Sequence, residues 1–244
     1  MNLTVARLTA RSLLGRRRTL LLLALPALLL LLSVAIRWIA GTDADLTVNL
    51  LAGFALGTIV PLLGLIAGTG AIGPEIDDGS IVYLLSKPLS RFTIVFSKLA
   101  VAVGIMLAFC AVPTLLAGLV LTGGTRNLAL GFAAGAAVAG VTYCALFLLL
   151  AVLTRNAVII GLLYALVWES VVGQFVPGAR ALSIQQWSLS VVQAVVAAPA
   201  GGGAAVRAAV SLTTGCVALA PGLVASTVYA GWRLRSLRLT GEDT

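Results

Sequence analysis

Histidine is absent from the 244 residues, and only 10% of them are charged. Without histidine the chain has no Ser-His or Cys-His nucleophile pair and no His-ligated zinc site. The three cysteines, Cys110, Cys144 and Cys216, each lie inside an apolar run without the spacing of metal ligands, and we predict that they are core residues. We therefore expect no catalytic residue, no metal site and no cofactor bound by this chain.

The shortage of charge also excludes a water-soluble fold. A soluble domain has about 25% charged residues, whereas this chain is 60% hydrophobic with a mean hydropathy of +1.11. Lys and Arg together number 16 against 8 Asp and Glu, which gives a net charge of +8. These basic residues lie between apolar runs of membrane-spanning length, a pattern that favours lipid headgroups as their partner and argues against nucleic acid.

Six apolar runs are long enough to cross a hydrocarbon layer about 30 Å thick, which takes roughly 20 helical residues. They predict an all-α membrane protein with one transmembrane domain over 1–244 and spans at 20–40, 46–72, 93–121, 128–153, 157–176 and 208–232. The connecting segments are an interfacial helix at 1–18, a loop at 74–91, an outer re-entrant or interfacial segment at 177–207 and a tail at 233–244. Within the outer segment, residues 182–198 are apolar enough for a short helix at the membrane surface or dipping into it.

The basic residues also predict the topology. Most of them lie on the side of the two termini, and only Arg37, Arg126, Arg180 and Arg207 lie on the other side. Because positively charged loops stay in the cytoplasm, both termini are predicted to be cytoplasmic. The excess of Arg over Lys and the abundance of Ala and Gly are typical of a bacterial genome rich in G and C, so we expect a multi-pass protein of the bacterial plasma membrane.

The first eighteen residues carry a weak amphipathic pattern. Three arginines share one side of a helical wheel and three apolar residues lie opposite: Arg7, Arg11 and Arg18 against Val5, Leu8 and Leu13. The pattern predicts a helix in the membrane interface with its arginines toward anionic lipid. A basic flank that only sets the topology remains the alternative, because polar residues interrupt the apolar side.

Glycines in two spans are spaced for close helix packing. They are Gly53, Gly57, Gly64 and Gly68 in the second span and Gly131 and Gly135 in the fourth. Such faces let backbones approach each other, either within one chain or between two subunits. Residues 68–73 also satisfy the G-x-G-x-x-G dinucleotide fingerprint, but they end a membrane span without a preceding strand, so we do not interpret them as a cofactor site.

The loop between the second and third spans changes from acidic to basic. Acidic residues open it and basic residues close it: Glu75, Asp77 and Asp78, then Lys87 and Arg91. An aspartate suits the N-terminus of a short helix, a lysine suits its C-terminus, and Pro88 ends it. Its apolar residues share one side at i, i+3 and i+4: Ile81, Leu84 and Leu85. This patch needs a cover, which is either a partner protein or the ends of the spans.

The loop and the start of the next span contain Glu75, the Gly79-Ser80 step, the string Leu84-Leu85-Ser86-Lys87-Pro88-Leu89-Ser90-Arg91, and then Lys98. In these residues the chain resembles the permease subunits of type-2 ABC exporters. The resemblance implies that the N-terminal segment is an elbow helix and that the loop holds a cytoplasmic coupling helix, which docks on an ATPase subunit. It also implies that a second permease, identical or different, pairs with this one around a central path whose exit the outer segment caps.

The function that follows from the resemblance is transport and not enzymatic catalysis by this chain. Since no Gly-Lys-Ser/Thr phosphate loop is present, ATP and Mg would be bound by a separate cytoplasmic ATPase subunit. We expect export of a hydrophobic or amphiphilic substrate. The alternatives are an ion-coupled secondary carrier, which usually has several ionisable groups near the midplane, and a membrane-embedded enzyme, which would need paired acids or an activated nucleophile.

Glu169 is the only acid inside a predicted span. A carboxylate near the middle of a membrane is costly unless it is paired, hydrated or protonated, so it should face the protein interior or a wet cavity. With Ser170 and Gln174, which extend the polar stretch, it could form a wall of the substrate path. The alternative is a polar contact between helices, for instance with Arg37 near the outer end of the first span.

Overall fold

The structure, a computed structural model, describes residues 3–78, 91–124, 126–154, 156–172, 179–197, 208 and 210–236. In these residues every regular element is helical and none is a strand, which confirms the all-α prediction. Four helical stretches are long and apolar enough to cross a membrane: Arg18–Ala40, Ala44–Ile76, Thr93–Thr122 and Arg126–Leu153. The chain is therefore a multi-pass membrane protein.

The helices follow each other in the order of the predicted spans. The first part contains α1 (Leu3–Leu13), α2 (Arg16–Ala40), α3 (Ala44–Asn49), α4 (Val60–Asp77), α5 (Arg91–Met106), α6 (Val112–Thr122) and α7 (Arg126–Leu153). The second part contains α8 (Ala157–Leu163), a 3-10 turn (Ala179–Leu182), α9 (Ile184–Ala197) and α10 (Leu212–Ser236). Three π-helical stretches complete the set: Leu50–Ile59, Leu107–Ala111 and Tyr164–Val172.

The last two predicted spans differ from the first four. The apolar helix in the fifth, Ala157–Glu169, is shorter than the four long stretches. In the sixth, α10 is a continuous helix of 25 residues, which rises about 37 Å at 1.5 Å per residue. The count of six membrane crossings stays a prediction.

Two π-helical stretches lie directly before prolines. Leu50–Ile59 precedes Pro61, and Leu107–Ala111 precedes Pro113. A proline has no amide hydrogen, and its ring collides with the carbonyl four residues earlier. A wider helical turn just before the proline relieves this collision, so both spans continue through it without ending.

α7 lies at the centre of the bundle and contacts α4, α5, α6, α9 and α10. The predicted glycine faces pack within the chain. A Cβ on Gly64 would lie 2.6 Å from the Cβ of Tyr143, and one on Gly135 would lie 2.5 Å from Cγ2 of Val192. Gly53 differs, because its Cβ would meet no atom within 4 Å. Residues 68–73 are helical throughout, which confirms that this stretch lacks the strand-turn-helix setting of a dinucleotide site.

α9 is buried among the other helices. Its residues Ile184, Trp187 and Val192 are at most 9% exposed. Val192 packs on Gly135 and Val196 on Gly131, so α9 runs antiparallel to α7, from the middle of that helix back toward its start. The chain therefore re-enters the bundle after the fifth predicted span instead of remaining at its outer end.

α1 packs against α4 and α5 through part of the predicted apolar face. Thr9 and Leu13 are fully buried, whereas Leu8 is 53% exposed. Leu13 is drawn inward because Gly70 of α4 leaves room for it: a Cβ there would lie 2.7 Å from Cδ2 of Leu13. Arg7 and Arg11 are exposed, as expected for headgroup contacts.

Candidate coupling site

The last turns of α4 lie between α2 and α5. The loop expected at 74–91 begins later than expected, because α4 continues beyond residue 72 and through Pro74 to Asp77. Glu75 therefore belongs to the span and not to the loop. Asp78 follows as the exposed cap residue of α4, and Arg91 is the first residue of α5. The end of α4 and the start of α5 thus flank the segment predicted to hold the coupling helix.

Glu75 and Lys98 form an ion pair across 23 residues of sequence. Lys98 Nζ lies 2.6 Å from Oε1 of Glu75, and the side chain of Lys98 is fully buried while that of Glu75 is 26% exposed. Lys98 Nζ also donates to the carbonyl oxygen of Ala71 at 2.7 Å. A buried ammonium group needs such partners, and here a carboxylate and a backbone carbonyl of α4 supply them. The pair joins α4 to α5 where the loop leaves and returns.

Arg18 reaches the same turn from α2. Its Nη1 donates to the carbonyl oxygen of Gly70 at 3.1 Å, and the residue is half-buried. The sequence pattern grouped Arg18 with Arg7 and Arg11, but the structure separates it from them. The reason is the extended backbone at Gly15, which ends one helix before the next begins at Arg16, so a single helical wheel does not continue to Arg18.

Most of the predicted coupling residues lie outside the described part of the chain: Gly79, Ser80, Ile81, Leu84, Leu85, Lys87 and Pro88. Asp77 is the last residue of α4. Of the predicted path residues, Gln174 also lies outside, and Ser170 is placed in the π-helical stretch Tyr164–Val172. What the structure adds is that Lys98 and Arg18 both contact the last turns of α4, Lys98 at Glu75 and Ala71 and Arg18 at Gly70.

A second polar site surrounds Glu169, whose side chain is fully buried. Its carboxylate accepts hydrogen bonds from Tyr143 Oη at 2.8 Å, Ser183 Oγ at 2.5 Å, the Ile184 amide at 2.9 Å and, more weakly, Tyr164 Oη at 3.5 Å. We call these four donors and the carboxylate the Glu169 cage. Donors of this number compensate the burial of a carboxylate without a cation.

The Glu169 cage does not contain the contact with Arg37 that the positions of the two residues along their spans suggested. Arg37 donates to the carbonyl oxygen of Leu121 at 3.5 Å instead of to Glu169. Tyr143 lies ten residues before the end of α7, about 15 Å from it at 1.5 Å per residue, so the cage is near the middle of the bundle. It fixes the place where the chain turns from the fifth predicted span into α9. The sequence signal for it was the presence of hydroxyl side chains in otherwise apolar stretches.

The described acidic and cysteine side chains were predicted not to form a metal site. In the part of the chain that the structure describes, no group of three or more His, Cys, Asp or Glu side chains is arranged to hold a metal ion. Cys110 and Cys144 are free and buried, which confirms that these two are core residues.

Comparison with known protein families gives one clear result. The family model described as "ABC-2 family transporter protein" matches residues 15–193, which is well over half of the chain. The matched region contains Arg18, Glu75, Lys98 and the whole Glu169 cage. None of the curated proteins compared with the chain matches it.

Proposed function

The chain belongs to the ABC-2 family of transporter proteins, and from this premise we propose that a cytoplasmic ATPase drives it to export a hydrophobic or amphiphilic compound. Membership makes it a permease subunit of an ABC transporter, not itself the ATPase, in a family that generally works with a cytoplasmic ATPase. In this proposal ATP and Mg are bound by that partner, and the protein has six spans in the bacterial plasma membrane with both termini in the cytoplasm.

The observation that carries the coupling proposal is the ion pair between the buried Lys98 and the partly exposed Glu75. A buried ion pair is not an efficient source of stability, because desolvation of the two charges offsets much of their attraction. It does fix the relative position of two helices. In our proposal the segment between α4 and α5 holds the coupling helix, with Gly79 and Ser80 at its start, and the pair makes both helices move with it.

The N-terminal helix fits the same proposal. α1 packs against α4 and α5, the two helices that flank the coupling segment, and this packing supports the proposal that α1 is the elbow helix. A second permease completes the path in this proposal. Exposed apolar side chains on α2 and α8, such as Leu31 at 68% and Ile159 at 62%, need either lipid or that second subunit as cover.

Glu169 was predicted to line the substrate path, and this role requires a conformational change. Because the carboxylate is enclosed by its four donors, it can line a substrate path with Ser170 and Gln174 only if the Glu169 cage opens during the transport cycle. We therefore propose that the cage holds the resting state.

The experiment that tests the proposal uses inverted vesicles containing the chain together with the proposed cytoplasmic ATPase subunit. Export is followed with an amphiphilic rhodamine dye and a panel of hydrophobic compounds. We expect ATP-dependent transport that falls about tenfold in Glu75→Gln. Asp45→Asn, which removes an exposed charge at the opposite end of the same span, is the matched control and should stay within about twofold.

Two results would contradict the proposal. Full transport in Glu75→Gln would remove the coupling role of the ion pair. Transport that persists when the ATPase is inactivated, and that follows an ion gradient instead, would favour the ion-coupled carrier.

A further inference from the structure

Pro74 leaves one backbone carbonyl of α4 without its helical donor. In an α-helix the amide of residue 74 would donate to the carbonyl of Gly70, four residues earlier, but proline has no amide hydrogen. The helix nevertheless continues to Asp77. The guanidinium of Arg18 donates to this same carbonyl, with Nη1 at 3.1 Å from the Gly70 oxygen. Arg18 thus occupies the position of the missing donor.

The surroundings of Gly70 are shaped for this contact. A Cβ at residue 70 would lie 2.7 Å from Cδ2 of Leu13 and 3.0 Å from Nη1 of Arg18, so a side chain there would crowd both residues. Beside Arg18 lies a cavity of about 60 Å³, bordered also by Thr69, Pro74 and Thr154. Its volume has room for a water molecule or two, which can hydrate the guanidinium N–H groups that do not reach Gly70.

The charge of Arg18 also suits this turn. Arginine keeps its positive charge at any physiological pH, and a charged donor makes a stronger hydrogen bond to a carbonyl than a neutral one. On the other side of α4, Lys98 donates to the next carbonyl, that of Ala71. Two consecutive carbonyls are therefore held by cations from two different helices, Arg18 of α2 and Lys98 of α5.

We infer that Arg18 is a positioning residue: it replaces the amide that Pro74 lacks and thereby ties the start of α2 to the end of α4 that leads into the coupling segment. A displacement of that segment then reaches α2 directly, and not only α5 through Lys98. The second half of this inference rests on the proposed function, since it needs an ATPase that moves the segment. The first half, the replacement of the amide, does not.

The first measurement tests the replacement on the purified permease alone. Arg18→Gln should lower the Tm by about 3–8 °C, because one hydrogen bond from a charged donor is lost. In the Pro74→Ala background, where the new amide of residue 74 takes the Gly70 carbonyl, Arg18→Gln should lower the Tm by less than about a third of that amount. Arg126→Gln, at an exposed first residue of α7, is the control for removing an arginine and should leave the Tm unchanged.

The second measurement tests the link to α2 in the complex with the ATPase. Spin labels replace two exposed leucines, Leu21 on α2 and Leu153 on α7, and their distance is measured before and after vanadate trapping. We expect a distance change in the otherwise unaltered protein that is reduced at least about twofold in Arg18→Gln. Arg18→Lys, which keeps a cation, should retain most of both the Tm and the distance change.

The double variant Arg18→Gln with Pro74→Ala separates the two roles. It should recover the Tm but not the distance change, because its helix is complete while α2 stays unlinked. A Tm loss that Pro74→Ala does not rescue would overturn the replacement. A full distance change in either Gln-containing variant would overturn the link. If vanadate moves no label even in the unaltered complex, the proposed function fails and the link with it, whereas the Tm series still decides the replacement.

Discussion

The two polar sites of this protein bury carboxylates in opposite ways. At the end of α4, Glu75 meets the ammonium of Lys98 and remains partly exposed. In the Glu169 cage the carboxylate is fully buried and is held by hydroxyls and one backbone amide, with no cation among these donors. The ion pair ties α4 to α5 on either side of the coupling segment, whereas two tyrosine hydroxyls, a serine hydroxyl and a backbone amide enclose the carboxylate of Glu169 in one geometry. The first site is thus suited to transmit movement and the second to resist it.

The largest effect is expected when the carboxylate of the Glu169 cage is removed. Glu169→Ala leaves the buried hydroxyls of Tyr143 and Ser183 and the amide of Ile184 without their acceptor. We expect a loss of about 3–5 kcal/mol in the free energy of unfolding, so that little folded protein survives purification. Thermal unfolding and size-exclusion chromatography measure this. If Glu169→Ala is as stable as Glu75→Ala, the Glu169 cage does not hold its surroundings more tightly than the Glu75–Lys98 pair does.

The next effect tests an asymmetry within the ion pair. Glu75→Gln leaves a fully buried ammonium without its carboxylate and should cost about 3 kcal/mol. Lys98→Met leaves a carboxylate that can turn toward solvent and should cost only about 1 kcal/mol.

The double variant sharpens this prediction. Combining Glu75→Gln with Lys98→Met removes both charges, so the stability should return toward that of the unaltered protein while ATP-driven transport stays low. Urea titration and the vesicle assay give the two readouts. Equal costs for the two single variants would show that burial does not distinguish the partners.

A moderate effect is expected where α9 packs on α7. In Gly135→Ala the new Cβ would lie 2.5 Å from Cγ2 of Val192 and 3.1 Å from the carbonyl oxygen of Ser188. We expect a loss of about 1–2 kcal/mol from this overpacking, measured by thermal unfolding. Val192→Ala in the same chain should return part of the loss. If Gly135→Ala costs nothing, α9 is not held tightly beside the Glu169 cage.

The smallest effect is expected on α1. Arg11 is exposed, and Arg11→Gln should leave the Tm within about 1 °C, unlike Arg18→Gln. Its effect should be confined to the affinity for vesicles that contain anionic lipid, measured by flotation. A destabilisation equal to that of Arg18→Gln would contradict the different environments of the two arginines.

The helical class and the approximate places of the spans could be predicted because hydropathy is a local property of sequence. The end of α4 could not. A proline close to the end of an apolar run normally ends the helix, since the carbonyl four residues earlier loses its donor. Here Arg18 supplies a donor from 52 residues away. No local pattern around Pro74 contains that information.

The residues around Glu169 show the same limit. The predicted depth of Glu169 in the membrane suggested Arg37 as a partner, but that depth does not show which side of a helix a residue occupies. The donors instead come from Tyr143 and Ser183, which are 26 and 14 residues away in sequence and are brought together by the re-entry of α9. By contrast, the Glu75–Lys98 contact joins two residues that the family resemblance had already selected, although nothing in the pattern said that they touch.

The π-helical stretch Leu50–Ile59 gives the two cations at the end of α4 one more consequence. A π turn holds an extra residue, and expelling one such residue would spin everything after it by about 100° around the helix axis. Gly70, Ala71 and Glu75 would then swing away from Arg18 and Lys98 together. The two cations therefore oppose rotation of α4 about its axis. The span can contain the wider π-helical stretch in its first half while Gly70, Ala71 and Glu75 keep their orientation.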